Sequence, residues 1–355
     1  MVRNYLKLIY RQLIRHRLNS IINLFGLSVG IACCFVIFLF VDSEFKYDKH
    51  HVYSDNIYRV TITETNDNAV RDFAHSYLPY ASLLESQMTE VDKSVRLLQQ
   101  SVSVANEDND IILQEDQFFY VDTTFFDVFS VPLKFGDISN ALSQPRNIVI
   151  SERAAMKYFG KSDVIGETLM LEQNVLFTVS GVFSELPSQS SLEFEMIAPM
   201  SASEELFGSW IADHGKTWHY PQVYSFVKLA SEAQVERVND RLEAFDKEFL
   251  PQYVSKVRSH KLQALEDIHF SNMENEMHAS IDKKILYTFI ATGIVILLIA
   301  AFNFINLFLA KIVVRFKEVG IKKVMGATSF NIWQQTLMES LVYLSLSLLL
   351  ALGWV

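Results

Sequence analysis

The chain has 355 residues, half of them hydrophobic, with 12 Gly, 7 Pro, 2 Cys and a formal net charge of −10. The apolar content excludes a disordered chain, and the few Gly and Pro exclude collagen-like and Pro-rich repeats. The acidic balance argues against nucleic acid as main partner, and two cysteines exclude a disulfide scaffold.

In chain order, residues 1–17 come first, with Arg3, Lys7, Arg11, Arg15 and Arg17 and no acid. Leu6, Ile9, Leu13 and Ile14 share one face at helical spacing, and Arg3, Lys7 and Arg11 form an i, i+4 stripe. This pattern predicts a basic amphipathic helix on the inner membrane surface, against anionic lipid. The alternative is a plain topogenic charge cluster. Residues 21–41 are 21 positions without a formal charge, and about 20 apolar residues suffice to span a bilayer as a helix. A first transmembrane helix is therefore predicted over 18–41. The run is too long, and starts too far into the chain, for a cleaved signal peptide. Gly30 also stands where a lipoprotein signal ahead of Cys33 has Leu.

Residues 42–284 carry 21 basic and 39 acidic side chains and no cysteine. Their patterns mix strands and helices. Tyr58, Val60 and Ile62 alternate along a half-buried strand over 57–63. A short strand over 148–150 leads into Ser151 as N-cap, a helix over 152–159, and Gly160 as its stop. Further strands are expected over 174–183, 222–229 and 261–270, and a polar helix near 232–249. The reading is an α+β domain with its own core, open to division into two lobes.

Residues 285–310 are 26 positions without charge and are predicted as a second transmembrane helix. The segment 311–331 carries Lys311, Arg315, Lys317, Lys322 and Lys323 against the single acid Glu318. Gly326 is placed to end a helix there, and Thr328 or Ser329 to cap the next. A third apolar run, 332–355, is interrupted by Glu339 and then uncharged for 16 residues. It is expected to be an incomplete third transmembrane helix, cut inside a longer protein. Short basic loops stay in the cytoplasm, so the N-terminus and 311–331 are expected inside and 42–284 outside. The fold class is thus a membrane protein: α-helical transmembrane spans with a large extracytoplasmic α+β domain inserted between spans 1 and 2.

Catalytic and metal signatures are weak. Gly160-Lys161-Ser162 resembles the end of a phosphate loop, but Ala155 replaces the required Gly and the preceding segment is helical. His214 and His219, five apart beside Asp213, lack zinc spacing and a third ligand. His50 and His51 read as a polar loop. Asp116, Asp122 and Asp127 do not follow a calcium loop. Glu339 reads as snorkelling or capping ahead of a mechanistic role, and Asn303 and Asn306 read as helix-packing residues. No catalytic residue, metal ligand or cofactor site is expected in this chain.

The stretch Glu318-Val319-Gly320-Ile321-Lys322-Lys323-Val324-Met325-Gly326-Ala327-Thr328 resembles the cytoplasmic loop signature of MacB/FtsX-like ABC transporter permeases. Residues 125–136, 147–166 and 177–190 resemble the periplasmic core domain of that family, as does the stretch from Tyr47-Asp48 to Val60. The resemblance implies a non-catalytic membrane subunit in the bacterial inner membrane, N-terminus cytoplasmic, multi-pass. It implies a cytoplasmic ATPase partner that binds ATP and Mg, docked on Lys317, Glu318, Gly320, Lys322, Lys323, Gly326 and Ala327, with 11–17 nearby. It further implies a second permease unit, as a homodimer or as a repeat in the full-length chain, and contact with membrane lipid. A periplasmic or outer-membrane partner is a further option. The implied role is mechanotransmission for export or extraction of a peptide, drug or lipoprotein, or regulation of a cell-envelope protein. A membrane receptor and a membrane-anchored enzyme are the alternatives.

Overall fold

The computed structural model describes residues 17–66, 69–106, 109–172, 174–207, 218, 220–314, 316–326 and 328–354. Arg3, Lys7, Arg11 and Arg15, Ala327, and His214 with His219 lie outside the described residues, as do the side chains of Arg17, Lys317, Glu318 and Lys322. The chain divides into two compact units, Met1–Phe45 with Lys283–Val355, and Lys46–Asp282.

The first unit opens the chain with α1 (Arg17–Glu44). The second unit then runs β1 (Ile57–Asn66), β2 (Ala69–Phe73), α2 (Tyr80–Gln87), β3 (Val91–Asn106), β4 (Ile111–Val121), β5 (Leu133–Gly136) and β6 (Asn147–Ser151). It continues with α3 (Glu152–Phe159), β7 (Thr168–Leu171), β8 (Val175–Phe183), β9 (Met196–Pro199), α4 (Met200–Phe207), β10 (Tyr224–Leu229), α5 (Val235–Phe249) and β11 (Arg258–Ala264). The first unit closes with α6 (Lys283–Val314), α7 (Phe316–Val324) and α8 (Ser329–Trp354).

In the second unit the described residues form one hydrogen-bonded network of eleven strands. β1 lies between β10 and β11, antiparallel to both, with Tyr58 opposite Val227 and Ala264. The alternation read in β1 has a physical basis. Tyr58, Val60 and Ile62 join Val227, Leu229 and Leu262 in a core closed by Tyr80 and Leu84 of α2 and by Val238, Leu242 and Phe245 of α5. Residues of the opposite sign of alternation, Ile57, Val95, Leu97, Tyr224 and Phe226, join a second core with Phe125, Val128 and Phe129.

β3 is long enough to serve both halves of the domain. Its first part pairs with β10, and near Val104 and Ala105 it pairs instead with β7. Since β7 also pairs with β8, the path β3–β4–β9–β6–β8–β7 returns to β3. This six-strand circuit is a small closed barrel, whose pairing leaves no free edge along the circuit. Val102, Val104, Phe118, Tyr120, Ile148, Ile150, Leu169, Leu171, Phe177, Val179, Met196 and Ala198 form its core. Each large side chain so buried contributes about 1.5–3 kcal/mol of transfer free energy. α3 packs on this core through Ala154, Ala155 and Tyr158. The Ser151 hydroxyl accepts the Ala154 N–H at 2.9 Å, and Gly160 ends the helix at φ +69°, where a Cβ would be strained.

One local expectation is corrected. The strand read over 261–270 runs Arg258–Ala264 and gives way to a single helical turn, Leu265–Ile268. The three-residue spacing of Leu265 and Ile268 turns both into the core. The third apolar helix has a 23-residue apolar stretch, Ile332–Trp354, or about 34 Å at 1.5 Å per residue. The helix simply continues through Glu339, whose side chain is buried. Among the described residues, three helices are long and apolar enough to cross a membrane: Ile21–Glu44, Lys283–Asn306 and Ile332–Trp354.

Within the helical unit, α1 and α6 cross closely through small residues. A Cβ on Gly26 would lie 2.9 Å from Asn303 Nδ2, and one on Gly30 would lie 2.6 Å from Ala300 Cβ. Further along, the Cys34 thiol donates to the Gly293 carbonyl at 3.2 Å. The rings of Phe40 and Phe289 meet edge-on at 5.3 Å. As the α1 number rises the α6 number falls, so the two helices are antiparallel. α8 reaches α1 through Ser347, which donates to the Leu24 carbonyl at 3.5 Å, and through Trp354 against Phe25.

Candidate functional site

The segment singled out by its basic pattern folds as α7 between two long helices. Met325 N–H donates to the Ile321 carbonyl at 3.0 Å and Gly326 N–H to the Lys323 carbonyl at 3.1 Å. Gly326 turns the chain at φ +91°, a left-handed conformation that a side chain would strain. Thr328 precedes the first turn of α8, its carbonyl accepting the Ile332 N–H at 3.3 Å. Gly320 has open space where a Cβ would stand. Ile321 is exposed, Val324 is 91% exposed and Met325 82%. Phe330 and Trp333, stacked at 6.1 Å, are exposed at the start of α8. An apolar turn of this kind, flanked by Lys323, is poorly hydrated on its own and suits coverage by another surface.

Asn303 sits against Gly26 in the α1–α6 crossing, and Asn306, one turn on, is exposed. Glu339 is 2% exposed. Sequence reading missed the Gly26–Gly30 pair, although its four-residue spacing was a visible signal for close helix contact.

In the second unit, Gly160-Lys161-Ser162 follows α3 instead of preceding a helix, and Lys161 pairs with Glu167 at 2.7 Å. Asp122 is held by Arg96 at 2.7 Å and Asp116 accepts from Ser101 at 2.5 Å. Among the described residues no group of three His, Cys, Asp or Glu is placed to hold a metal. His51 Nδ1 accepts the Ser130 N–H at 3.1 Å, and burial pushes its imidazole down to about 3, with His50 alongside adding to the effect. Burial likewise holds His50 below its usual range.

Asp48, noted in the sequence only as part of the stretch from Tyr47 to Val60, organises the entry to this unit. It is buried at φ +60°. Its Oδ1 accepts the Ser191 N–H at 2.8 Å, and its own N–H donates to the Gln189 carbonyl at 3.0 Å. Burial raises its carboxyl above the usual range, against the lowering bonds from Ser191. The loop it holds, 184–195, separates two clefts. One, about 500 Å³, is walled mainly by Phe126, Phe129, Val131, Pro132 and Ile138. The other, about 310 Å³, is polar, with Gln117, Ser151, Arg153, Glu193 and Glu195.

Comparison with known proteins decides what this architecture is. A family profile described as the MacB-like periplasmic core domain matches residues 20–245, more than half of the chain. The chain belongs to the MacB/FtsX-like permease family. No curated protein matches it. Among solved structures, a domain of a provisionally named permease from Porphyromonas gingivalis is 21% identical, with TM-score 0.53, over 67% of this chain and 98% of that one. At that identity the likeness is one of fold. The extracellular domain of the noncanonic ABC-type transporter YknZ from Gram-positive bacteria is 16% identical, with TM-score 0.42, over 59% of this chain and all of that one. The periplasmic region of MacB from Actinobacillus actinomycetemcomitans is also 16% identical, with TM-score 0.41, over 60% of this chain and 90% of that one. Like its family, this permease joins a periplasmic-type α+β domain to apolar helices long enough for a membrane.

Proposed function

We propose that the chain is the permease subunit of an ABC-type complex that carries ATP-driven motion from the cytoplasm to its external domain. α1, α6 and α8 would lie in the bacterial inner membrane, with the N-terminus and α7 inside and 46–282 outside. The observation that carries the reading is the order of parts. A MacB-like domain stands between two apolar helices, and the second of these is followed by a short helix ending in an exposed apolar turn. α7 and the turn, through Lys317, Glu318, Gly320, Lys322, Lys323, Gly326 and Ala327, would dock on a separate ATPase that binds ATP and Mg. The basic residues Arg3, Lys7, Arg11, Arg15 and Arg17 would lie at the lipid surface beside it.

In this reading the chain performs no chemistry of its own. Closure of two ATPase subunits would move two permease units together, and the close α1–α6 crossing would pass that motion on as a rigid pair. Asn303 would act inside that crossing. Asn306 and Glu339 would serve contacts among helices. The load would be export or extraction of a peptide, drug or lipoprotein, or control of an envelope protein. Gentle purification of the native full-length protein, with mass spectrometry of its partners, tests this. A stoichiometric P-loop ATPase is expected. An intact complex without one overturns the proposal and favours an orphan receptor.

A further inference from the structure

The two clefts of the external domain border one another along 185–187. Glu185, Leu186 and Pro187 line both. Cavities of this size suit small ligands, which they grip by apolar walls and orient by a few polar groups. Here the two requirements are separated in space. The larger cleft supplies Phe126, Phe129, Val131, Pro132 and Ile138. The smaller supplies carboxylates.

The charge on these carboxylates is unevenly compensated. Glu195 is paired with Arg153, and Glu193 with His278 Nδ1 at 2.7 Å. Glu185, on the shared rim, is exposed and makes no ion pair among the described residues. His50 on the apolar side is pushed below its usual range by burial. The excess of 39 acidic over 21 basic side chains across 42–284 adds a negative field that favours approach of a cation.

We infer that the paired clefts bind a small amphiphilic cation. Its aromatic or branched aliphatic group enters between Phe126 and Ile138, and its ammonium rests at Glu185, where the apolar and polar clefts meet. The site goes beyond the permease reading and stands with or without an ATPase. Its position has a consequence for that reading. The loop carrying Glu185 is bonded at Gln189 and Ser191 to Asp48, two residues after the domain begins. An occupant that shifts the loop therefore acts on the chain where it enters the domain.

Photolabelling with 4-(aminomethyl)benzophenone tests the site in the full-length chain in lipid nanodiscs, with labelled residues mapped by mass spectrometry. Labels are expected to cluster on Phe126, Ile138 and Leu186. The anionic analogue 4-benzoylbenzoic acid is expected to label there about tenfold less, since attraction becomes repulsion. Glu185→Gln is expected to reduce amine labelling about threefold, the scale of an exposed ion pair. Ile138→Arg, at an exposed position, places a competing cation at the mouth and is expected to abolish the cluster. Ile138→Gln, which narrows only the apolar character, serves if the arginine variant does not fold. Equal labelling by the acid or by plain benzophenone overturns the assignment of a cation. Labels scattered over the domain, or a cluster unmoved in the Ile138 variants, overturn the site.

Discussion

Arg59 Nη1 lies 2.5 Å from Glu276 Oε2 while the arginine side chain is only 1% exposed. The guanidinium is shared further. Gln263 Oε1 accepts from its Nε at 3.1 Å and its Nη2 at 2.7 Å, and Ser271 Oγ accepts at 3.2 Å. Ser271 in turn donates to Glu276. One strand residue thus fastens the segment that leads from the external domain back to α6.

Removing one partner of such a pair leaves a buried charge uncompensated, at a cost of about 3–5 kcal/mol. Glu276→Ala is therefore expected to lower the melting temperature of the external domain by about 6–20 °C, at about 2–4 °C per kcal/mol for a domain of this size. Arg59→Met together with Glu276→Leu is expected to recover most of the loss, because the cost lies in the orphaned charge. Differential scanning fluorimetry of the three forms checks this, and a double variant as unstable as Glu276→Ala contradicts it.

His51 gives the domain a stated pH dependence. It is 2% exposed, its Nδ1 already holds the Ser130 N–H, and its folded value is about 3. Between that value and about 6.5 the unfolded chain binds a proton that the folded chain refuses, so stability rises with pH across this window. From pH 7 to pH 5 the loss is about 2 kcal/mol, at about 1.4 kcal/mol per unit. Asp48, raised by burial, works in the opposite sense. His51→Gln is expected to reduce the dependence of melting temperature on pH between 7 and 5, part of which stays with His75, pushed down by burial to about 4. An unchanged slope assigns the proton uptake elsewhere.

The α1–α6 crossing is expected to tolerate very little added volume. At Gly30 a new methyl would lie 2.6 Å from Ala300 Cβ, inside any real carbon–carbon contact. Gly30→Ala is expected to destabilise the helical unit by about 1–3 kcal/mol, the usual range for overpacking. Adding Ala300→Gly removes the opposing methyl and is expected to restore stability. Resistance to unfolding in nanodiscs, followed for the single and double variants, decides it. A double variant worse than the single one places the contact elsewhere.

What was legible in the sequence was whatever is decided locally. The helix 152–159 needs only Ser151 before it and Gly160 after it, and both signals are adjacent to it. The apolar helices declare themselves by length alone. The hairpin of β3 and β4 was missed because Phe118, Phe119, Tyr120 and Val121 are buried on both faces, which erases the alternation that marks a half-buried strand. Barrel closure was illegible for another reason. β7 meets β3 some 65 residues away through only Val104 and Ala105, and no short pattern encodes that register. The clefts are worse still, since Phe126, Ile138 and Leu186 share no motif and become neighbours only when β5 pairs with β8. The α7 turn was legible because Gly326 and Thr328 lie within three residues of each other and shape it without distant help.

That turn carries the decisive prediction for coupling. Val324 and Met325 expose apolar surface at the end of α7, so a partner that covers them gains about 25 cal/mol per Å² of apolar area. A carboxylate there must be desolvated when the partner docks. Val324→Asp is therefore expected to cut co-purification of the ATPase at least tenfold, equivalent to about 1.4 kcal/mol. The melting temperature of the external domain is expected to stay unchanged, because the residue belongs to the other compact unit. Gly326→Ala acts by a different route, forcing a side chain to φ +91° at a cost of about 1 kcal/mol or more, and so shifts the turn without adding charge. Both variants losing the ATPase while the domain melts normally is the result expected of a docking turn. Full retention of the ATPase by Val324→Asp removes this turn from the interface, even if the complex itself is confirmed.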